Sequence, residues 1–375
     1  MLTLVLFVVG LGLVIFGADA LVRGSASLAS ALGAPPLIVG LTVVAMGTSA
    51  PEVVVSLRAA VAGQSAIAVG NVVGSNIFNV LFILGISALV TPLAVSVRVI
   101  RQDVPIMVAA SALTLLLAAN GMIGRLEGGV LLLGIVAYSA HQVRAVRRYR
   151  EANVFVAGGA RNGSVGSDLA FVMGGLAMLV LGAGWFIDGA VAIAGALGVS
   201  ELVVGLTIVA AGTSLPELAT SIAASARGER DIAVGNVVGS NIFNLLFVLG
   251  GASLLAPAGI AVPPAALSFD LPVMVAVAIA CLPIFFTGYI IARWEGAVFL
   301  AYYIVYAAYL VLHATQHEAL GVLRQVMLAL VLPLTVLVFA VVVYRSWRAG
   351  PRAAAARAGA DGGPRGGDRD PPGRR

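Results

Sequence analysis

The chain reads GTSAPE at residues 47–52 and GNVVGSNIFN at residues 70–79, and both motifs recur, as GTSLPE at 212–217 and GNVVGSNIFN at 235–244. The repeat extends from 40–90 to 205–255 without an insertion or deletion. Segments that only need to be apolar tolerate exchange among Leu, Ile, Val and Ala. The shared Asn, Ser, Thr, Pro and Glu residues therefore indicate a chemical role, and we expect the functional site to lie where the two copies meet.

The composition sets the class of protein. Hydrophobic residues make up 60% of the 375 residues, charged residues make up 10%, and the mean hydropathy is +1.05. These values exclude a soluble globular domain and predict a polytopic membrane protein. The single cysteine, Cys281, excludes an internal disulfide framework.

Glu52 and Glu217 are the first candidate site residues. An acidic side chain within a membrane segment is costly and normally marks an ion pathway or a proton relay. A position at a helix end in the headgroup region is the alternative. The apolar residues at 53–57 and 218–222 continue past each acid and favour the submerged position.

Pro51 and Pro216 predict a break in each helix just before the acid. Proline has no N–H, so it removes the hydrogen bond to the carbonyl four residues earlier. Thr and Ser hydroxyls lie beside the freed carbonyls, and transporters use such broken helices to coordinate cations. An all-oxygen ligand set without His or Cys favours a hard cation such as Na⁺ or Ca²⁺.

The longer motif predicts a helix with one polar stripe, since Asn71, Ser75 and Asn79 are four residues apart, as are their counterparts in the second copy. The glycines at 70, 74, 235 and 239 form small-xxx-small pairs that permit close helix packing. We interpret these glycines and the asparagines at 71 and 76, with their partners, as packing and interhelical contacts. The stronger ligand candidates are Ser75, Asn79, Ser240 and Asn244.

Together the two motifs resemble the alpha repeats of the sodium/calcium exchangers, of the prokaryotic type, within the calcium/cation antiporter superfamily. The proton/calcium branch differs around its acidic residue. The resemblance implies an all-α integral membrane protein with ten core transmembrane helices in two inverted five-helix repeats. It also implies a Ca²⁺ site between Glu52 and Glu217 with Na⁺ sites beside it, the ions being substrates rather than cofactors.

The resemblance further implies a set of metal ligands that includes backbone carbonyls of two alanines. The implied ligands are Glu52, Glu217, Thr48, Thr213, Ser49, Ser214, Ser75, Ser240, Asn79, Asn244, Ala45 and Ala210. Several members of the family have Asp at the position of Asn244, so this chain departs from them there, and the resemblance does not fix the charge of the site or the ion stoichiometry.

The chain order predicts the domain organisation. Arg-x-Glu-Gly heads the fifth helix of each half, at 125–128 and 293–296, where we expect an interfacial anchor. We predict first helices at 2–21 and 169–197, and an interhelical polar contact for Asp19. The predicted units are a first repeat at 1–147, a linker at 148–168, a second repeat at 169–314, an extra transmembrane helix at 320–345 and a disordered Arg-rich tail at 346–375.

Arginine placement predicts the orientation. The connection between the halves carries Arg144, Arg147, Arg148, Arg150 and Arg161, and the positive-inside rule assigns it to the cytoplasm. The N-terminus is then outside and the C-terminus cytoplasmic, in the cell inner (plasma) membrane.

The predicted function is secondary antiport of Ca²⁺ against Na⁺ by alternating access, in which the first helix of each half slides past the core. A proton-coupled exchanger or a channel remains the alternative. An intramembrane metal hydrolase is disfavoured because neither HExxH nor a His and Cys cluster occurs. The lipid bilayer and the two ions are the expected partners, with no nucleic acid, cofactor or required protein partner.

Overall fold

The computed structural model describes residues 2–152, 165–196, 210–286, 288–327 and 329. Within these residues, eight helices are long and apolar enough to cross a membrane, and one bent helix pair makes up to nine spans. The prediction of an all-helical, multi-span membrane protein is confirmed. The predicted second helix of the second repeat, 202–226, is described only from residue 210 onward, and most of the extra C-terminal helix and the whole tail lie outside the described residues.

The first half runs through six helices and two short strands. In chain order they are α1 Leu2–Ala31, α2 Pro36–Thr48, α3 Ala50–Val61, α4 Ser65–Val90, β1 Leu93–Ala94, α5 Val99–Leu117, β2 Met122–Ile123 and α6 Arg125–Ala152.

The second half follows the same order. Its elements are α7 Val165–Ala196, α8 Ala210–Gly212, α9 Leu215–Ala226, α10 Arg230–Leu255, β3 Ile260–Ala261, α11 Ala266–Phe286, β4 Ile290–Ile291, α12 Arg293–Ala314 and a short α13 Ala319–Val326. Helices α6 and α7 extend into both ends of the predicted linker.

The predicted break before each acid is present. Helices α2 and α3 meet at an angle of 47°, and Ser49 between them has φ −77° and ψ 11°, outside the helical range. Ser214 before α9 has nearly the same angles, φ −89° and ψ 12°. Each proline stands in the first turn of the new helix, where its missing N–H costs nothing.

Helices α4 and α10 each carry a π-helical turn, which was not predicted. It begins at the last asparagine of each motif and covers Asn79–Leu84 in α4 and Asn244–Leu249 in α10. Such turns widen the helix locally and occur often at functional sites.

Helices α1 and α7 form a long pair with glycines along their contact. An added Cβ would come within 2.9 Å of the Gly175 carbonyl oxygen at Gly17, and within 2.8 Å of the Gly182 carbonyl oxygen at Gly10. Gly24 also packs closely, against Val172. The predicted end of α1 near residue 21 is wrong, because this contact continues to Gly24 and the small residues beyond it sustain the helix.

Short strands and close helix contacts join the two halves. Strand β1 pairs antiparallel with β4, and β2 pairs antiparallel with β3. Gly85 in α4 lies against Gly296 in α12, and Gly250 in α10 lies against Gly128 in α6. Each half therefore contributes to the packing of the other.

Polar residues at the helix ends have local roles. Asp19 forms ion pairs with Arg23 at 2.9 Å and with Arg227, and the contact with Arg227 is the predicted interhelical one. Glu127 accepts a hydrogen bond from the Gly124 N–H at 3.0 Å, and Glu295 accepts one from the Ala292 N–H at 2.8 Å. The glutamate of each Arg-x-Glu-Gly segment thus caps the start of its own helix.

Candidate cation site

The two predicted carboxylates occupy equivalent places in the two halves. Glu52 lies in the first turn of α3 and Glu217 in the first turn of α9, and both are fully buried. The proline just before each acid starts the helix there, so each carboxylate sits near the positive end of a helix dipole.

Each carboxylate receives a hydrogen bond from the opposite half. The Ser49 hydroxyl donates to Glu217 Oε1 at 2.8 Å, and the Ser214 hydroxyl donates to Glu52 Oε1 at 2.9 Å. Reciprocal contacts of this kind are typical of units related by a two-fold axis. The two broken helices therefore meet in one site.

The serines of the polar helices complete this first layer. Ser75 donates to Glu52 Oε1 and Ser240 donates to Glu217 Oε1, each at 3.4 Å. Ser75 and Ser240 are both buried, and each contacts the glutamate of its own half. The Ser240 hydroxyl is also 3.4 Å from the Ala45 carbonyl oxygen, which Thr48 Oγ1 approaches at 3.3 Å.

A second layer fixes the backbone that carries the acids. Asn71 Nδ2 donates to the Ser56 hydroxyl at 2.9 Å and to the Glu52 carbonyl at 3.3 Å, and its Oδ1 accepts from Thr213 at 3.2 Å. The second half repeats this arrangement with Asn236, Ser221, Glu217 and Thr48, at 3.0, 3.2 and 3.0 Å. The interpretation of Asn71 and Asn236 as structural residues agrees with these contacts, whereas Ser56 and Ser221 were not predicted.

A second set of asparagine hydrogen bonds joins the two halves, between helices α4 and α10. Asn76 Nδ2 donates to the Asn241 carbonyl at 3.2 Å, and Asn241 Nδ2 donates to the Asn76 carbonyl at 3.3 Å. Asn79 Nδ2 donates to Asn241 Oδ1 at 3.0 Å, and Asn244 Nδ2 donates to Asn76 Oδ1 at 3.2 Å. The amide nitrogens of Asn79 and Asn244 are thus occupied while their oxygens remain available.

In the part of the chain that is described, nine buried side-chain oxygens lack a hydrogen-bond partner, and four of these belong to predicted ligands. The four are Glu52 Oε2, Glu217 Oε2, Asn79 Oδ1 and Asn244 Oδ1. All four accept hydrogen bonds or metal ions, and in their ionised form the two carboxylates bury negative charge without a basic side chain in contact among the described residues. Such burial is unfavourable unless a cation compensates it.

The available ligands suit a hard cation. Carboxylate, amide, hydroxyl and carbonyl oxygens are the ligands that Ca²⁺ and Na⁺ favour, whereas zinc and copper sites use His and Cys. Within the described residues, no group of three or more His, Cys, Asp or Glu side chains could hold a metal ion. We refer below to eleven of the twelve predicted ligands as the cage. The twelfth, Ala210, is left out because it begins α8 and takes part in none of the contacts described above.

Sequence reasoning missed an aspartate–tyrosine contact in each half, buried in the first half and partly exposed in the second. Asp103 in α5 accepts from the Tyr138 hydroxyl at 3.3 Å and from Gln142 Nε2 at 2.7 Å, and Asp270 in α11 accepts from the Tyr306 hydroxyl at 2.9 Å. The available signal was an aspartate at equivalent positions of both repeats, each in an apolar segment.

Known proteins match both halves of the chain. A family model described as sodium/calcium exchanger protein matches residues 2–144 and 167–312. Inner membrane protein YrbG of Escherichia coli is 41% identical over 74% of this chain and 87% of its own length. Sodium/calcium exchanger MaX1 of Methanosarcina acetivorans is 33% identical over 80% of this chain and 96% of its own.

Solved structures agree with this match. A structure of the sodium-calcium exchanger NCX_Mj, soaked with 2.5 mM Na⁺ and 0.1 mM Ca²⁺, superposes with a TM-score of 0.70. It is 32% identical in sequence, and the match covers 82% of this chain and 98% of that one.

Proposed function

The chain belongs to the sodium/calcium exchanger protein family, and from this premise we propose that it is a secondary antiporter exchanging Ca²⁺ for Na⁺ across the membrane. The observation that carries the proposal is the reciprocal arrangement of Glu52 and Glu217, each fully buried with one unpartnered oxygen. Two ionised carboxylates neutralise one Ca²⁺, so a divalent cation balances the charge of the cage.

The ligands divide between the ions according to position. Glu52 and Glu217 hold Ca²⁺ together with the carbonyl and hydroxyl oxygens of the two threonines. Ser49, Ser75, Ser214 and Ser240 already contact the carboxylates at 2.8–3.4 Å, so Na⁺ bound beside them shares those carboxylates. Asn79 and Asn244 offer neutral amide oxygens at the centre, and the Ala45 and Ala210 carbonyls extend the Na⁺ sites.

Competition for the same carboxylates provides the coupling. Ca²⁺ and Na⁺ cannot both occupy the cage fully, because their summed charge would exceed the two negative charges in a region of low dielectric. Each side of the membrane therefore loads one kind of ion, and exchange follows from the opposing gradients. This cycle requires no cofactor and no covalent chemistry.

Alternating access is assigned to the α1–α7 pair. The two helices contact each other along a glycine-lined face, and none of the cage residues lies in α1 or α7. In the inverted arrangement of the two repeats, a shift of this pair past the core exposes the same cage first to one side and then to the other.

A proton-coupled exchanger is the second candidate. The observation that favours it is that one oxygen of each buried carboxyl group, Oε1, accepts a hydrogen bond from a serine hydroxyl, an arrangement that a protonated acid can keep. In that case protons, rather than Na⁺, compete with Ca²⁺ for Glu52 and Glu217.

Calcium flux into proteoliposomes separates the two candidates. The purified protein is reconstituted, and ⁴⁵Ca²⁺ uptake is measured with an outward Na⁺ gradient at equal pH, then with a pH gradient of equal driving force in Na⁺-free buffer. Sodium-driven uptake supports Na⁺/Ca²⁺ exchange. Uptake driven only by the pH gradient overturns it in favour of the proton-coupled exchanger, and uptake that needs neither gradient indicates a channel.

A further inference from the structure

We propose that Asn76 and Asn241, which are not cage residues, are positioning residues for cation binding. Each one fixes the amide group of a cage asparagine on the opposite half, so that Asn244 and Asn79 present an oxygen rather than an N–H group to the bound cation. This role rests on the proposed function, because it concerns the same cage. All four side chains are buried in the contact between α4 and α10.

A cage asparagine can face a cation with either end of its amide group. The Oδ1 end accepts hydrogen bonds and coordinates cations, whereas the Nδ2 end only donates and repels a cation. The two ends have nearly the same shape, so the hydrogen-bond partners decide which end faces which neighbour. A buried cation site that uses neutral amides therefore needs partners that hold each amide in the productive orientation.

The partners of the Asn76 Nδ2 group accept hydrogen bonds but cannot donate them. Asn76 Nδ2 donates to the Asn241 carbonyl oxygen at 3.2 Å and to Met274 Sδ at 3.8 Å. A backbone carbonyl is only an acceptor, and a thioether sulfur is a weak acceptor without a hydrogen. A reversed Asn76 amide would place its oxygen against these two acceptors. The orientation with Nδ2 on this side is therefore favoured.

The next hydrogen bond passes this orientation to the cage. Asn76 Oδ1 has no hydrogen to donate, so it accepts from the Nδ2 group of Asn244, at 3.2 Å. The Oδ1 atom of Asn244 is then left without a hydrogen-bond partner among the described residues. Asn76 thus determines which end of the Asn244 amide remains for a cation.

The other half repeats these contacts with the roles exchanged. Asn241 Nδ2 donates to the Asn76 carbonyl oxygen at 3.3 Å and to Met107 Sδ at 3.5 Å. Asn241 Oδ1 accepts from Asn79 Nδ2 at 3.0 Å, and Asn79 Oδ1 is again unpartnered in the part of the chain that is described. Both series of hydrogen bonds therefore end on a free oxygen of the cage.

The two methionines come from helices that carry no cage residue. Met107 lies in α5 and Met274 in α11, each at the end of an Asp-x-Pro-x-Met segment, at 103–107 and 270–274. Both side chains are buried. Leucine would fill nearly the same volume but could not accept a hydrogen bond from the amide. Helices α5 and α11 thus support the orientation of amides that are held between α4 and α10.

The test is a double-mutant cycle on Ca²⁺ affinity, measured by equilibrium binding of ⁴⁵Ca²⁺ to the purified full-length protein in Na⁺-free buffer. Asn76→Ala and Asn244→Ala are made singly and together. The matched comparison combines Asn76→Ala with Asn79→Ala, because Asn79 lies on the same helix as Asn76 but is oriented by Asn241. Coupled residues show losses that do not add, whereas independent residues show additive ones.

We expect Asn76→Ala to weaken Ca²⁺ binding by about tenfold, because the Asn244 amide loses its acceptor and can turn its N–H groups toward the cation. In the Asn244→Ala background the same change should weaken binding by less than about twofold, whereas with Asn79→Ala the two losses should multiply. Met274→Leu should weaken binding by about threefold, and only where Asn244 is retained. Leu131→Met, the reverse exchange at a buried position outside these contacts, should leave binding unchanged.

A loss from Asn76→Ala that is equal with and without Asn244→Ala overturns the proposal, because a residue that only supports packing weakens binding whichever side chain it faces. Unchanged Ca²⁺ affinity in the Asn76→Ala variant also overturns it. If Asn76→Ala does not fold, Met274→Leu with and without Asn244→Ala decides in the same way. A wild-type protein that binds no Ca²⁺ overturns the proposed function and the positioning role together.

Discussion

In the cage, the hydroxyl of Ser49 reaches Glu217 at 2.8 Å and the hydroxyl of Ser214 reaches Glu52 at 2.9 Å. At the ends of α6 and α12 the halves differ, since Arg98, His141 and Arg144 of the first half correspond to Ala265, Tyr309 and Leu312 of the second. The two repeats are therefore alike in the cage and differ in sequence at these helix ends.

The difference between these regions reflects what each one contacts. An ion held between the halves is bound by both, so each copy must supply its acid, its hydroxyl and its asparagine. In the proposed inverted arrangement, the helix ends instead meet the membrane surface, and the same helix end faces opposite sides of the bilayer in the two halves. The positive-inside rule then favours arginine in only one of them.

The largest expected effect comes from removing one charge of the cage. Glu52→Gln and Glu217→Gln should each lower sodium-driven ⁴⁵Ca²⁺ flux by at least about a hundredfold while the protein stays folded, because the amide keeps the shape but leaves a divalent cation half neutralised. Glu127→Gln is the matched control, since Glu127 caps α6 outside the cage and should leave flux unchanged.

Equal losses in the two variants support a shared site. If either Glu→Gln variant keeps wild-type flux, that glutamate does not hold the transported ion, and the equivalence of the halves fails.

A smaller loss is expected from the hydroxyls that cross between the halves. Ser49→Ala and Ser214→Ala each remove a hydroxyl of the proposed Na⁺ sites, a contact to a charged group worth about 1.5–3 kcal/mol, so the apparent Na⁺ affinity in sodium-driven Ca²⁺ flux should fall by about tenfold or more in both. Ser253→Ala is the control, because Ser253 is buried outside the cage and donates to the Leu249 carbonyl of its own helix. Unequal losses at Ser49 and Ser214 would show that the halves load different ions.

The central asparagines test the charge of the cage. The wild type should show no activation by potassium, because one Ca²⁺ already balances the two glutamates and a further cation would be uncompensated. Asn244→Asp and Asn79→Asp each add a third carboxylate, so protons should compete with Ca²⁺ and flux should fall several-fold between about pH 8 and pH 6.

Flux measured across that pH range, with and without potassium, checks this expectation. Strong potassium activation of the wild type would contradict the charge balance. A pH profile unchanged in the Asn244→Asp variant but shifted in Asn79→Asp would place Asn244 outside the cage.

The smallest expected effect lies at Asp103 and Asp270 and concerns stability. Asp103 accepts hydrogen bonds from two side chains, Gln142 and Tyr138. Among the described residues, Asp270 accepts one side-chain hydrogen bond, from the Tyr306 hydroxyl. Tyr306→Phe should therefore destabilise the protein by about 1–3 kcal/mol and Tyr138→Phe by less. Thermal unfolding in detergent measures both, and a larger loss for Tyr138→Phe would contradict the assigned contacts.

The sequence was sufficient to predict the membrane class, the repeat and the helix breaks, because these depend on local chemistry. A proline before an acid in an apolar run predicts both the bend at Ser49 and the burial of Glu52. The polar stripe made Asn79 and Asn244 ligand candidates, and their oxygens are among the unpartnered ones.

Contacts between distant segments could not be derived in this way. The bond from Ser49 to Glu217 joins residues far apart in the chain, and the strand pairs β1–β4 and β2–β3 involve only two residues each. The continuation of α1 to Ala31 depends on packing against α7, since Gly, Ala and Ser at its end are weak local signals. The serine–glutamate bond, the strand pairs and the length of α1 all depend on which segments of the chain lie close together in space.

The most direct test of the cage is anomalous diffraction from crystals soaked with Sr²⁺, a heavier divalent cation of the same chemistry as Ca²⁺. The account predicts one strong peak between the halves that contacts a carboxylate oxygen of Glu52 and one of Glu217, and that weakens as Na⁺ is added to the soak. A peak that contacts neither glutamate, or an unchanged peak at high Na⁺, would contradict a cation site shared by the two ions.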